Sequence, residues 1–133
     1  MFEIVKSISF CYGHRLLNYV GPCANLHGHN AKADILLASE TLDEKGMVID
    51  FGDIKSNVKA WVDDNLDHTM LLAVGDPLIA VFEERKEHFY LMEDNPTAEN
   101  IAKHIFEYVE GQGFPVVSVT LWETDTSFAR YSR

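Results

Sequence analysis

Cys23-Ala24-Asn25-Leu26-His27-Gly28-His29-Asn30-Ala31-Lys32-Ala33-Asp34-Ile35-Leu36-Leu37 is the stretch from which the fold of this chain is read. From His27 onward the residues alternate in character. His27, His29, Ala31, Ala33, Ile35 and Leu37 fall on one side, to about Ala38, while Gly28 and Asn30 point the other way. Strand side chains project to opposite faces with period two, so the pattern predicts a half-buried β-strand. Residues 2–11 alternate too, with Phe2, Ile4, Ile8 and Phe10 opposed to Glu3, Ser7 and Ser9, and Lys6 interrupting the apolar side. Between the two runs, Leu16–Asn25 contains Gly21-Pro22 and reads as a loop. A hairpin-like connection of this kind makes the two strands antiparallel.

Further along, Thr41–Met47 is polar and turn-like, and Asp50 has the character of an N-cap for a helix carrying Ile54, Val58, Trp61 and Val62 on one face and ending near Asn65. Asp76-Pro77 is a second start signal, a capping residue before a proline at the first helical position, for a short helix with Leu78, Val81 and Phe82 as its buried stripe. Phe89–Met92 is a brief apolar run of strand character. Pro96-Thr97 opens a third helix, in which Ala98, Ile101, Ala102, Ile105 and Val109 recur at helical spacing until Gly111 and Gly113 end it. Val116–Thr124 is rich in β-branched residues, and a final strand, Phe128–Tyr131, follows a short turn. The expectation is an α+β fold: an antiparallel four-stranded sheet with two main helices packed on one face. A sheet of this size keeps two free edges and an uncovered face, which predicts that neighbouring subunits complete the core.

Residues 1–133 read as a single domain, without repeats, low-complexity tracts or a dividing linker. With 11 Lys+Arg against 21 Asp+Glu, the formal charge of −10 argues against non-specific binding to nucleic acid or an anionic membrane, since both require clustered positive charge. No apolar run approaches the roughly 18 residues of a membrane span. The opening Met1–Lys6 lacks the basic and apolar regions of a signal peptide, so the expected location is cytoplasmic. Cys11 and Cys23 are too few for a disulfide framework and are expected to be free thiols.

The chemistry concentrates where the quoted stretch begins. His27 and His29, at i and i+2 on a strand, project from one face about 7 Å apart, and His14, just after the first strand, is the third histidine that could complete a triangle. Three imidazoles suit Zn²⁺ with a fourth position left open, the arrangement of a catalytic metal site. Paired histidines on a strand are usually plain polar surface, but this face continues as Ala31, Ala33 and Ile35, where imidazoles need partners. Cys23 is either a fourth ligand or a nucleophile or base near the metal, and spacing does not choose between these. Cys11, beside Phe10, reads as a small buried hydrophobe. Asp67-His68 is a candidate dyad in which the carboxylate orients the imidazole, against the plainer reading of a histidine at a helix C-terminus. Glu99 falls in the first turn of the third helix, where compensation of the helix dipole explains it equally well. Glu123 follows Val117, Val119 and Leu121 on their own face, so it lies at the rim or pairs with a ligand offering two adjacent N–H donors.

The combination of Phe10…His14, Cys23-x-x-x-His27-Gly28-His29-Asn30, Val48-x-Asp50-Phe51, Leu66-Asp67-His68, Pro96-Thr97-x-Glu99-Asn100 and Glu123-Thr124 resembles the 6-pyruvoyl tetrahydropterin synthase family, including its bacterial 6-carboxy-tetrahydropterin synthases of queuosine biosynthesis. The resemblance implies the tunnelling fold, with small sheets joined into an oligomeric barrel, usually a hexamer of two trimers. It implies Zn²⁺ on His14, His27 and His29, and Cys23 as the proton-abstracting base. Asp67 and His68 are then catalytic partners across a subunit interface, Glu123 anchors the pterin ring, and Thr97 and Glu99 line its pocket. The substrate implied is 7,8-dihydroneopterin triphosphate. The product implied is 6-carboxy-5,6,7,8-tetrahydropterin, with acetaldehyde and triphosphate released, or in the pyruvoyl branch the product of triphosphate elimination. A zinc-stabilised pterin-binding module without activity is the non-enzymatic alternative. A triphosphate sits uneasily with a charge of −10; the metal's own charge narrows the conflict, and Arg15, Lys32 and Arg130 are the cations considered for the rest. The sequence departs from the family at Cys11-Tyr12-Gly13, where small residues are usual, and in the length between His68 and Pro96, which the Asp76-Pro77 helix is expected to fill.

Overall fold

The computed structural model describes the whole chain, Met1–Arg133. Strands β1 (Phe2–His14) and β2 (His27–Ser39) form an antiparallel ladder that pairs Phe2 with Ser39 at one end and His14 with His27 at the other. The alternation turns Ile8 and Phe10 of β1 and Ala31, Ala33, Ile35 and Leu37 of β2 inward, and Tyr12 and His14 continue the buried side of β1, while Phe2 at the strand's start is exposed. Gly13 and Gly28 stand opposite each other in this ladder. A Cβ on Gly28 would lie 3.1 Å from the Tyr12 carbonyl oxygen, so glycine permits close approach just where the histidines gather.

Asp50 caps α1, its carboxylate accepting the Gly52 N–H at 2.8 Å. This helix runs as regular turns Phe51–Ile54, a π turn Lys55–Lys59 and regular turns Ala60–Asn65. Ile54, Val58 and Val62 are buried, while Trp61 lies at the flank, stacked on Tyr108 with ring centroids 4.1 Å apart. The remaining elements are β3 (Thr69–Ala73), α2 (Leu78–Arg85), β4 (Phe89–Met92), α3 (Ala98–Gly111), β5 (Val116–Thr124) and β6 (Ser127–Ser132). The Thr97 hydroxyl caps α3 by accepting the Asn100 N–H at 3.2 Å, and the helix buries Ile101, Ala102, Ile105, Phe106 and Val109. One apolar cluster joins the inner face of the sheet to α1 and α3, as the two-helix reading expected. No helix is long and apolar enough to cross a membrane.

Three expectations are corrected. The sheet has six strands in the order β4-β3-β1-β2-β5-β6 and is mixed, with β3 parallel to β1 and β4 parallel to β3. The missed strand, Thr69-Met70-Leu71-Leu72-Ala73, is a short run with Leu71, Leu72 and Ala73 all buried, so it carries no alternation. Parallel neighbours need a crossover, and α2 supplies the one between β3 and β4. That helix has no buried residue, and Val81 is exposed, because α2 stands outside the main core; Phe82 is partly buried and meets Phe89 edge-on at 6.2 Å. Finally, the β2–β5 register shifts between Leu36 and Leu37, which turns Val116 toward the core and leaves Val117 exposed. The extra residue of a bulge reverses parity beyond it, so Val117 does not share the face of Glu123.

Candidate active site and metal centre

The face of the sheet that carries the core ends in three histidines. Their imidazole centroids are 4.5 Å (His14–His27), 5.1 Å (His14–His29) and 5.0 Å (His27–His29) apart. One ring nitrogen from each lies within 4.8 Å of the other two. The His14 Nδ1 faces the Pro96 carbonyl oxygen at 2.6 Å, and the His27 Nδ1 faces the Asn25 carbonyl oxygen at 2.7 Å. A carbonyl only accepts, so each Nδ1 carries its proton there and leaves the Nε2 lone pair for the shared space. Burial holds the His14 pKa below its ordinary value, against the opposing pull of the Pro96 bond and of Glu123, so its ring stays neutral. The Nε2 atoms of His14 and His29 are 3.2 Å apart, close to the roughly 3.3 Å that tetrahedral Zn–N bonds impose on two ligand nitrogens. The donor set therefore fits Zn²⁺.

Glu123 closes the far side of this triangle. Its Oε1 is 3.2 Å from His29 Nε2, and its Oε2 receives a long contact, 3.4 Å, from the Tyr12 hydroxyl. Burial, then the nearby Glu123 charge, push the Tyr12 phenol well above its usual range, so it remains a proton donor. His14, Cys23, Thr97, Glu99 and Glu123 line one cavity of about 240 Å³, together with Phe128 and Ala129. Cys23 is held there by a turn, Pro22–Ala24, tied back through its carbonyl to the Leu16 N–H at 2.9 Å. Its sulfur is not among the atoms that converge with the three imidazoles. Thr97 has already used its oxygen as a helix cap, which leaves its O–H free to donate.

Asp67 and His68 lie elsewhere. Asp67 Oδ2 is 2.8 Å from His68 Nδ1, so the carboxylate does orient the ring. Asp67 Oδ1 accepts the Cys11 backbone N–H at 2.9 Å, and the His68 N–H donates to the Cys11 carbonyl at 2.7 Å. Burial raises the Asp67 pKa, but the bonds from Cys11 and His68 outweigh it and hold the carboxyl below its ordinary value. Cys11 belongs to the opposite parity of β1 from His14, so this dyad sits on the uncovered face. It lines a broad depression of about 770 Å³ with Lys32, Asn30 and Trp122, and the His68 side chain is 81% exposed. A second depression, about 720 Å³, runs past the strand ends between His68 and the backs of His27 and His29, without Cys23 or Glu123. One chain thus brings together seven of the nine expected site residues. Of the cations considered for an anionic tail, Arg15 is committed to Asp76 through two hydrogen bonds. Lys32 lies 5.7 Å over the Trp122 ring, and Arg130 donates to Thr120.

Tyr12 was not singled out from the sequence, although it shares the parity of Phe10 and His14, which was the available signal. The Pro96 and Asn25 carbonyls left none, being main-chain groups.

Fold and site together define a tunnelling-fold enzyme with a three-histidine centre, and the comparisons agree. The family model for 6-pyruvoyl tetrahydropterin synthase matches residues 3–133, and the chain belongs to that family. A Rickettsia bellii protein named 6-carboxy-5,6,7,8-tetrahydropterin synthase is 38% identical, with 96% of this chain and 98% of that protein covered. Among solved structures, an uncharacterized protein from Wolinella succinogenes superposes with a TM-score of 0.84 at 29% identity, covering 99% of this chain and 98% of that one. The 6-pyruvoyl tetrahydropterin synthase of Caenorhabditis elegans superposes with a TM-score of 0.74 at 26% identity, covering 99% and 95%.

Proposed function

We propose that this chain is a cytoplasmic, zinc-dependent 6-carboxy-5,6,7,8-tetrahydropterin synthase of queuosine biosynthesis. It converts 7,8-dihydroneopterin triphosphate and one water to the 6-carboxy product, acetaldehyde and triphosphate. The observation that carries the reading is the triangle of imidazoles with two Nδ1 atoms pinned to backbone carbonyls, with Glu123 against His29 and with His14 lining the cavity that also holds Cys23 and Glu123. The name of the relative at 38% identity supports the carboxy branch.

His14, His27 and His29 would hold the ion. Bound there, Zn²⁺ supplies Lewis-acid polarisation of the substrate's side-chain oxygens. Glu123 binds the pterin by accepting its ring N–H and exocyclic amino hydrogens in a bidentate bond, and Tyr12 steadies the carboxylate from behind. Thr97 and Glu99 line the same cavity and add polar contacts. Cys23, as the thiolate, takes a proton from a side-chain carbon. His68, held in one tautomer by Asp67, exchanges protons with the side-chain hydroxyls. Because the dyad lies on the other face, it serves the Cys23 cavity of a neighbouring subunit, in a hexamer built as a dimer of trimers. Lys32 lines the depression beside His68 and is the cation best placed for the triphosphate.

The pyruvoyl branch is the second reading, favoured by the likeness to the C. elegans enzyme. Incubation of the zinc-loaded protein with dihydroneopterin triphosphate separates the two. Acetaldehyde released in step with triphosphate is expected, and triphosphate without acetaldehyde would transfer the assignment to the pyruvoyl branch.

A further inference from the structure

We propose that Cys11, Asp67 and His68 form a second cation site, for a thiophilic divalent ion such as Zn²⁺ or Cd²⁺, on the uncovered face of the sheet. A sulfur, a carboxylate oxygen and an imidazole nitrogen from these residues lie within 4.8 Å of one another. One thiolate, one imidazole and one carboxylate make up the mixed donor set that borderline and soft divalent ions prefer, and that Mg²⁺ or Ca²⁺ does not.

The backbone already holds the three donors in place. Cys11 donates its N–H to Asp67 Oδ1 at 2.9 Å and accepts the His68 N–H on its carbonyl at 2.7 Å, so β1 and the turn after α1 are locked together at this point. His68 adopts φ 55, an uncommon conformation for a residue other than glycine, and this folds its ring back over Asp67 instead of letting it trail along β3. Cys11 and Asp67 are partly buried while His68 is exposed, so an ion reaches them from the 770 Å³ depression without unfolding anything. On binding, the thiol proton passes to solvent. The ion replaces the hydrogen bond between Asp67 and Nδ1, whose proton is exchanged through solvent for one on Nε2 so that the ring stays neutral, and the fourth position faces the depression. In the metal-free site the Cys11 thiol hydrogen-bonds to the Asp67 carboxylate, which already points its sulfur toward the other two ligating groups.

The site differs in kind from the three-histidine centre, which contains no sulfur, and this makes it separately observable. Its occupation also removes the dyad from proton transfer, a consequence that rests on the role of His68 proposed above, whereas the binding itself does not.

The test is to titrate protein carrying one Zn²⁺ per chain with Cd²⁺ and follow the thiolate-to-metal charge-transfer absorption in the wild type and in Cys11→Ser, Cys11→Ala, Cys23→Ala and His68→Ala. One further Cd²⁺ per chain should raise the band in the wild type and in Cys23→Ala. Both Cys11 variants should lack it, and His68→Ala should bind more than about tenfold more weakly, since loss of even an outer partner costs that much. The two Cys11 replacements guard against a single variant that fails to fold. A band that persists in both Cys11 variants, one that disappears in Cys23→Ala, or none in the wild type would each overturn the proposal.

Discussion

At His14 the imidazole is 2% exposed, with its Nδ1 proton fixed on the Pro96 carbonyl, whereas His27 and His29 are only half-buried. The three therefore differ in what their removal does. Alanine at any of the three should lower bound zinc, measured as metal per chain after dialysis, because two imidazoles no longer compete with buffer. Only His14→Ala should also cost about 2–4 kcal/mol of folding stability, from the cavity left and the buried carbonyl stripped of its donor. Equal urea midpoints for His14→Ala and His29→Ala would contradict that distinction. Cys23 behaves in the opposite way, because its sulfur is outside the imidazole cluster. Cys23→Ala should retain zinc and lose turnover by orders of magnitude, and loss of the metal would make Cys23 a ligand.

Among the elements, those with a strong period were legible in the sequence. The ladder of β1 and β2, the buried stripes of α1 and α3, and the caps at Asp50 and Thr97 all form as the residues imply, and with them the three-histidine triangle. What escaped was structure that leaves no period. β3 is buried too completely to alternate, and the bulge at Leu36 moves Val117 outward without any local mark. The Asp76-Pro77 signal did announce α2, but local chemistry cannot say that the helix would stand outside the core. What fixes α2 is Asp76, whose fully buried carboxylate accepts the Leu78 N–H at 2.8 Å and two bonds from Arg15. The Arg15 bonds hold the Asp76 pKa below its ordinary value, although burial works the other way. A carboxyl depressed in the folded state adds stability that is present above its unfolded pKa, about 3.9, and is lost as pH falls through the folded value. Asn at this position keeps the cap and removes the charge. Asp76→Asn should thus be less stable by about 2 kcal/mol at neutral pH, with the gap constant above about pH 5 and closing below about pH 4. Urea unfolding across that range measures it, and a gap that does not depend on pH would show that the ion pair contributes nothing.

For the molecule as a whole, the charge of −10 excludes capture of anions by long-range steering, yet does not govern a pocket whose field a divalent ion dominates. More decisive is the division of the proposed machinery between the two faces of one sheet. Cys23 opens on the covered side, and His68 on the uncovered side across β1. The strands β4 and β6 are free edges, and Val5, Leu91 and Phe128 are exposed, so the single chain ends in surfaces suited to further copies of itself. If each complete site takes Cys23 from one subunit and His68 from its neighbour, two inactive variants can repair each other. Cys23→Ala and His68→Ala, unfolded together and refolded as mixed oligomers, place both intact residues at about one site in four when assembly is random. The mixture should recover about a quarter of wild-type turnover, while each variant refolded alone stays inactive. A site contained within one chain predicts no recovery at any mixing ratio, since every subunit then carries one of the two lesions. The ratio dependence makes the distinction sharp: shared sites give activity proportional to the product of the two variant fractions, with a maximum at equal amounts.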